Sequence, residues 1–238
     1  MVQPLTYDTF KTELALLAVV SPTNAQFLSN LPSAINYAEL RIYRDIDLLS
    51  TVMAVTGFSM VANNNQLVLS EADFVTLQNI NVLTPVGTAN PLAATRNPLT
   101  PVSKEYLYNV WGSAAGAALP TKMAILNTST VLFGPWPDAN YALEIIGTIR
   151  PPSLSAVNPT TWISTYMPDL LLYAAMIFIS GYQRNFGLMG SDPQMGATYE
   201  GQYTTMMKSA SVEEARKKFS SSGWTSMSPA IAATPTRG

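Results

Sequence analysis

From Leu170 to Ile179 every residue is apolar or tyrosine, within a stretch that reads TWISTYMPDLLLYAAMIFISGYQRNF from Thr161 to Phe186. A helix carrying such a run is apolar on all sides and belongs at the centre of a helix cluster, not on a surface. Pro168 suits the first helical turn, where its missing N–H would be unpaired in any case, and Asp169 places a negative charge near the positive end of the helix dipole. The run stops at Ser180-Gly181, about half of the ~20 residues that a bilayer span requires, so it predicts a buried core helix. Leu171, Ala174, Ile177 and Phe178 are its expected core positions.

What surrounds this helix is constrained by what the chain lacks. It has 238 residues without a single cysteine or histidine. Disulfides and thiolate metal sites are therefore impossible, as are Ser-His-Asp and Cys-His catalysis and imidazole-zinc sites. A chain of this length buries about 70% of its unfolded surface, as one large or two small domains, so packing alone suffices. Charged residues make up 12% and apolar residues 47%, against about 25% charged in an ordinary soluble chain. A surface so rich in Ser, Thr, Asn, Gln and Ala suits burial against partners and points to an assembly subunit, with an ordinary neutral protein as the plainer reading. The net charge of −2 offers no electrostatic reason to bind nucleic acid or an anionic membrane. The start, Met1-Val2-Gln3, shows no basic segment leading into an apolar stretch, so no signal peptide is expected.

Taken in order, Thr6 caps a first helix with Phe10, Leu14 and Leu17 on one face, ending near Val20. Ser21-Pro22 restarts a short helix that carries Phe27 and Leu28 inward, and Pro32 opens another in which Ile35, Ala38, Ile42 and Ile46 recur at helical steps. Arg41 and Asp45 stand one turn apart on its exposed side as a weak ion pair. Beyond Leu48 the pattern changes to strands. Residues 51–61 and 66–69 read as a hairpin about the turn Asn63-Asn64-Asn65, and residues 74–83 as a third strand. Pro85, Pro91, Pro98 and Pro101 lie in a stretch, 85–102, whose composition defeats both helix and ladder. It is expected to be a contact arm or lumen-lining loop, or plain flexible chain, with Leu92, Arg96 and Leu99 as its interface residues. Residues 104–111 predict two helical turns bearing Tyr106, Tyr108 and Trp111. Three more strands follow at 123–126, 131–133 and 141–149, ended by Arg150-Pro151-Pro152.

Asp192-Pro193 repeats the signal of cap plus proline and opens a helix with Met195, Tyr199, Gln202 or Tyr203, and Met206 on one stripe, reaching Phe219. Arg216, Lys217 and Lys218 fall where the dipole prefers cations, and read as a solvated helix end and not as a DNA-binding patch. Ser220 to Gly238 is Ser, Thr, Ala and Pro with few anchors and cannot fold alone. The fold class predicted is α+β: a helical bundle core with an inserted small antiparallel sheet or sandwich and a flexible C-terminal arm. The segments are 1–47, N-terminal helices; 48–159, the β-rich insertion; 160–219, the C-terminal core helices; and 220–238, the arm.

Candidate chemistry is sparse. Asp45 and Asp47 form the one close carboxylate pair, and Glu144 is isolated in a strand. General acid and base work needs one buried acid of raised pKa, whereas such a pair at a helix end is more often a solvated terminus. Gly187, Gly190 and Gly196 follow no strand and precede no Lys-Ser or Lys-Thr, so they make no phosphate loop. No catalytic residue, cofactor or metal is predicted. Tyrosines and methionines at helical spacing are core or interface material.

The segments LFGPWPDANYALEIIGTIRPPSL, Leu132 to Leu154, and NPTTWISTYMPDLLLYAAMIFISGYQ, Asn158 to Gln183, together resemble the head-to-tail adaptor proteins of tailed bacteriophages. The likeness lies in a strand that meets a proline-bearing turn at Pro135 or Pro137, then a strand at Ile145 to Ile149. It continues in a short helix with Trp162, a core helix opening at Pro168 with Leu171 and Ala174, and a long last helix, Asp192 to Phe219. The N-terminal helices with Tyr37, Leu40 and Arg41 also fit, while the proline-rich stretch and the tail are unmatched.

The resemblance implies a virion structural protein of the neck, made in the host bacterial cytoplasm. It implies a homo-oligomeric ring, apparently twelvefold, between a portal protein and a tail or neck protein. DNA would only pass through the lumen, and no membrane or cofactor is involved. It further implies that the C-terminal arm docks on the portal, with Trp224, Met227 and Ile231 as anchors. Two other readings stand beside it: another virion structural subunit, such as a tail or decoration protein, and a glycan-cleaving enzyme using Asp45, Asp47 or Glu144.

Overall fold

The computed structural model describes residues 5–70, 74–185 and 195–221. The expected helix start at Asp192-Pro193, Gly187 and Gly190, and the anchors Trp224, Met227 and Ile231 lie outside them. The fold is α+β, and the chain divides into two compact units, Met1–Ser50 with Pro151–Gly238, and Thr51–Arg150.

In the first unit, α1 (Tyr7–Leu17) is capped by the Thr6 hydroxyl, which accepts from the Thr9 N–H, and buries Phe10, Leu14 and Ala15. The next helix corrects the sequence reading. A single α2 (Ala25–Asp45) replaces the two helices expected at Ser21 and Pro32. Asn24 is the cap, its side-chain oxygen accepting from the N–H groups of Gln26 and Phe27 at 2.9 and 3.1 Å. Pro32 sits inside this helix on an exposed position. The carbonyl that its missing N–H leaves unpaired, that of Leu28, is therefore on the side open to water, which lowers the cost of an internal proline. Leu28 is itself exposed rather than inward.

Helix α4 (Trp162–Tyr166) begins with a reciprocal capping box between Thr161 and Ser164, satisfying two otherwise unpaired donors. Helix α5 (Pro168–Asn185) follows and packs between α2 and α6 (Met195–Ser221). Leu170, Leu171, Ala174, Ala175, Met176 and Ile179 are buried, Ile177 is half-buried, and Phe178 is 37% exposed. The prediction of burial on all sides is thus corrected at Phe178. The neighbouring helices leave one strip of α5 uncovered, and there Phe178 meets the exposed Tyr37 ring, at 5.4 Å between centroids.

Among its described residues the second unit holds two four-stranded sheets, in the orders β1-β8-β3-β4 and β2-β7-β6-β5. The strands are β1 (Val52–Ser59), β2 (Gln66–Val68), β3 (Thr76–Thr84), β4 (Thr95–Pro98), β5 (Thr100–Pro101), β6 (Lys122–Asn127), β7 (Thr130–Gly134) and β8 (Ala142–Thr148). The expected hairpin about Asn63 to Asn65 is absent, because β1 pairs with β8 and β2 with β7. Asn63 has a φ of 58°, a left-handed conformation that asparagine tolerates. The turn instead carries the chain from one sheet to the other, where the Asn65 carbonyl accepts from the Phe133 N–H at 2.8 Å.

Between the sheets lies a core that includes Met60, Ile80, Val82, Met123, Phe133, Leu143 and Ile145. The other face of β7 packs under α3 (Lys104–Val110), where Leu107 meets Ala124 and Leu132, so β7 is buried on both faces. A side chain at Gly134 would collide with Leu107 and the Trp111 ring, so the strand end requires glycine.

The segment 85–102 contradicts the expectation that it forms no ladder. Pro98 and Pro101 fall where no donor is needed. Asn97 is paired with Val82, and Leu99 donates to Ile80, so the intervening Pro98 nitrogen points away from β3. Pro101 likewise lies between Thr100 and Val102, whose N–H groups donate to Thr121 and Met123.

Candidate functional site

The predicted interface residues of segment 85–102 have three different fates. Leu92 is 90% exposed, whereas Leu99 is 3% exposed and belongs to the core between the sheets. Leu99 is therefore corrected from an interface residue to a structural one: with Pro98 turned outward, strand alternation turns its neighbour inward. Arg96 is committed to Glu144, with Nε donating at 2.8 Å and Nη2 at 3.1 Å.

The carboxylates weighed for acid-base work, Asp45, Asp47 and Glu144, each have a partner within the chain. Glu144, expected to be isolated, accepts from Arg96 and, at 2.9 Å, from the Asn81 amide. These hydrogen bonds, that of Arg96 foremost, hold its carboxyl below the usual range despite burial, the opposite of what a proton donor needs. Asp45 accepts from the Tyr203 hydroxyl at 2.7 Å, and Asp47 pairs with Lys218. Among the described residues no group of three or more Asp or Glu could hold a metal ion, and no helix is long and apolar enough to cross a membrane.

Several cations are also engaged within the chain. The ion pair expected between Arg41 and Asp45 is present at 3.6 Å, but Arg41 chiefly makes a two-pronged contact with Glu200 and lies over the Tyr203 ring at 4.3 Å. Lys217 pairs with Glu213 and Glu214, each at 2.7 Å, and stands over the Trp162 ring. The Glu214 carboxylate also accepts from the Leu49 N–H at 3.0 Å. Sequence spacing could not reveal Arg41–Glu200 or Arg96–Glu144, since the partners stand 159 and 48 residues apart.

Part of the exposed surface is apolar. In the first unit it includes Leu16 in the last turn of α1 and Val19 beyond it, Tyr37 and Phe178 between α2 and α5, and Tyr166 on α4. In the second it includes Leu92 and the outer face of α3, with Tyr106 and Tyr108 about half exposed. Clustered exposed apolar side chains mark surfaces that partners cover.

No curated protein matches the sequence significantly. Residues 5–229 match the family described as SU10 adaptor protein, a span that takes in both compact units. The chain therefore belongs to that family of phage head-to-tail adaptors and is a structural protein of the virion.

Proposed function

We propose that the protein is the subunit of a ring, twelvefold by analogy with such adaptors, that joins the portal to the tail and extends the DNA channel. The observation that carries this reading is the family match over both units. The surface chemistry supports it: Arg41, Lys217 and Lys218 are tied to carboxylates of their own chain, and large apolar side chains such as Tyr37, Tyr166 and Leu92 remain exposed. A wall with few free cations lets DNA slide, because tight phosphate binding needs clustered Lys and Arg.

In this reading residues 220–238 dock on the portal through Trp224, Met227 and Ile231, and Leu92 lies at a contact with a neighbouring neck protein. Native mass of the protein, alone and mixed with its portal ring, tests the assembly. Equal numbers of both subunits in one ring-sized complex is the expected result, and a monomer that ignores the portal across a range of salt would overturn it. Removing residues 222–238 should abolish portal binding without lowering the thermal stability of the chain.

A further inference from the structure

The segment Thr95 to Val102 is shared by both sheets of the second unit. It pairs with β3 as far as Leu99, whose N–H donates to Ile80 at 2.9 Å, then crosses to β6, where Val102 donates to Met123 at 2.8 Å. Each edge is used over part of its length. β3 begins at Thr76, before the segment reaches it, and β6 runs on to Asn127 after the chain has left to start α3 at Lys104. Past this corner lies a cleft of about 510 Å³, lined by Leu77 and Gln78 of β3, Val102 and Lys104, and Met123 and Ile125 of β6.

The direction of the free backbone groups follows from the ladder. Bonding alternates along an antiparallel strand. The Met123 carbonyl faces the corner segment, and the Phe133 opposite it donates to Asn65 on the far side of β7. Ile125, two residues on, therefore turns its N–H and carbonyl the same way, toward the cleft and away from β7. Among the described residues no strand pairs with this edge beyond Met123, and the Ile125 side chain is 56% exposed.

We propose that the cleft takes an extended, uncharged polypeptide segment of a neighbouring neck protein, which adds as a strand to the edge of β6 at Ile125. A free strand edge is matched by the donors and acceptors of another extended backbone, with side-chain pockets selecting what enters. The floor at Leu77 and Met123 is apolar, and the one cation and one anion at the rim, Lys104 and Glu105, cancel, so an uncharged segment is the complementary one. Continuity favours this mode as well, since the chain's own Thr100 to Val102 already occupies the preceding part of the same edge. The proposal rests on the adaptor reading only for the source of the segment.

The test is binding of synthetic peptides to the full chain, read by fluorescence anisotropy. The peptides tile the portal and tail proteins of the same particle, and one more covers residues 222–238 of this chain. At least one portal or tail peptide should bind, and Ile125→Pro should weaken it about tenfold or more, the scale of one or two lost hydrogen bonds. The N–H removed is not part of the β6–β7 ladder, so the fold should persist, as thermal unfolding would show. The bound peptide is also methylated on alternate backbone amides. One phase should abolish binding and the other leave it, a readout that stands even where Ile125→Pro fails to fold. No binding peptide, equal binding by Ile125→Pro in its folded form, or indifference to the methylation phase would overturn the proposal. Binding by residues 222–238 alone would overturn it too, and would assign the cleft to the chain's own tail. Because the peptides need no ring, this outcome is read separately from the native-mass result.

Discussion

Replacing Arg96 with methionine keeps most of the aliphatic stem and removes the charge that Glu144 faces. Glu144 is 6% exposed on β8, the strand between β1 and β3, and would be left with the Asn81 amide alone. Breaking a fully buried ion pair costs about 3–5 kcal/mol. The Arg96 side chain is 44% exposed, so water screens the pair and can partly replace the guanidinium. With the Asn81 bond retained, the loss should be about 2 kcal/mol, within the range for a hydrogen bond to a charged group. In a unit of about 100 residues that lowers the melting temperature by roughly 8–16 °C.

Fluorescence of Trp111 and Trp136, both in this unit, reports the transition at pH 7. The double variant with Glu144→Gln should recover most of the loss, because a neutral amide needs no counter-charge. The Arg96 bonds lower the folded Glu144 pKa, so the stability they confer is full above the ordinary carboxyl pKa and is lost as pH falls through the lower folded value. Arg96→Met should flatten that acid limb. A variant within about 0.5 kcal/mol of the parent, as for an exposed pair, or strict additivity in the double variant, would refute the reasoning.

Glu39→Gln should reveal a pH dependence of opposite sign: Glu39 is 1% exposed, its Oε2 has no hydrogen-bond partner among the described residues, and burial raises its pKa from 4.5. Stability is then full below the unfolded value and lost as pH rises through the folded one, a decline that urea unfolding should find in the parent and not in the variant. Gly147→Ala should destabilise by about 1–3 kcal/mol or more in thermal unfolding, since its Cβ would strike the Thr76 carbonyl, part of the backbone of the neighbouring strand. Leu171→Ala, at a fully buried site of α5, should cost about 2–5 kcal/mol in urea unfolding.

What could be read from sequence was what depends on nearby residues. The cap at Thr6, the proline start of α5, the turn at Asn127 to Ser129 and the α+β class follow from local propensities or apolar spacing. The errors lie where a distant partner decides. Residues 63–65 make a sound turn, but the strands on either side find β8 and β7, more than 60 residues away in sequence. Pro98 and Pro101 suggest an irregular loop until the edges beside them show that neither nitrogen faces a partner. Phe178 continues an apolar run, and only the placement of α2 reveals that it meets Tyr37 at the surface. Of the interface residues expected in segment 85–102, Leu92 is exposed, Arg96 is held by Glu144 and Leu99 is in the core, because strand register and not composition sets their sides.

The few charges also explain how α6 is held. Its buried apolar stripe is thin, with Tyr203 the one fully buried large side chain described on it. Polar contacts do the positioning: Glu200 to Arg41, Tyr203 to Asp45, Glu214 to the Leu49 N–H, and Lys218 to Asp47. Apolar faces tolerate a helix sliding by a turn, whereas four directional contacts spread over five turns do not, because a shift of 5.4 Å would break all of them at once. The charged groups therefore fix register inside the subunit, and the outer faces can stay poor in charge. A surface of that kind loses little on burial, since desolvating hydroxyls, amides and aromatic rings costs far less than desolvating ions. Fixing α6 with directional contacts and leaving the exterior poor in charge are thus one solution, suited to a subunit that must keep its shape while partners cover it.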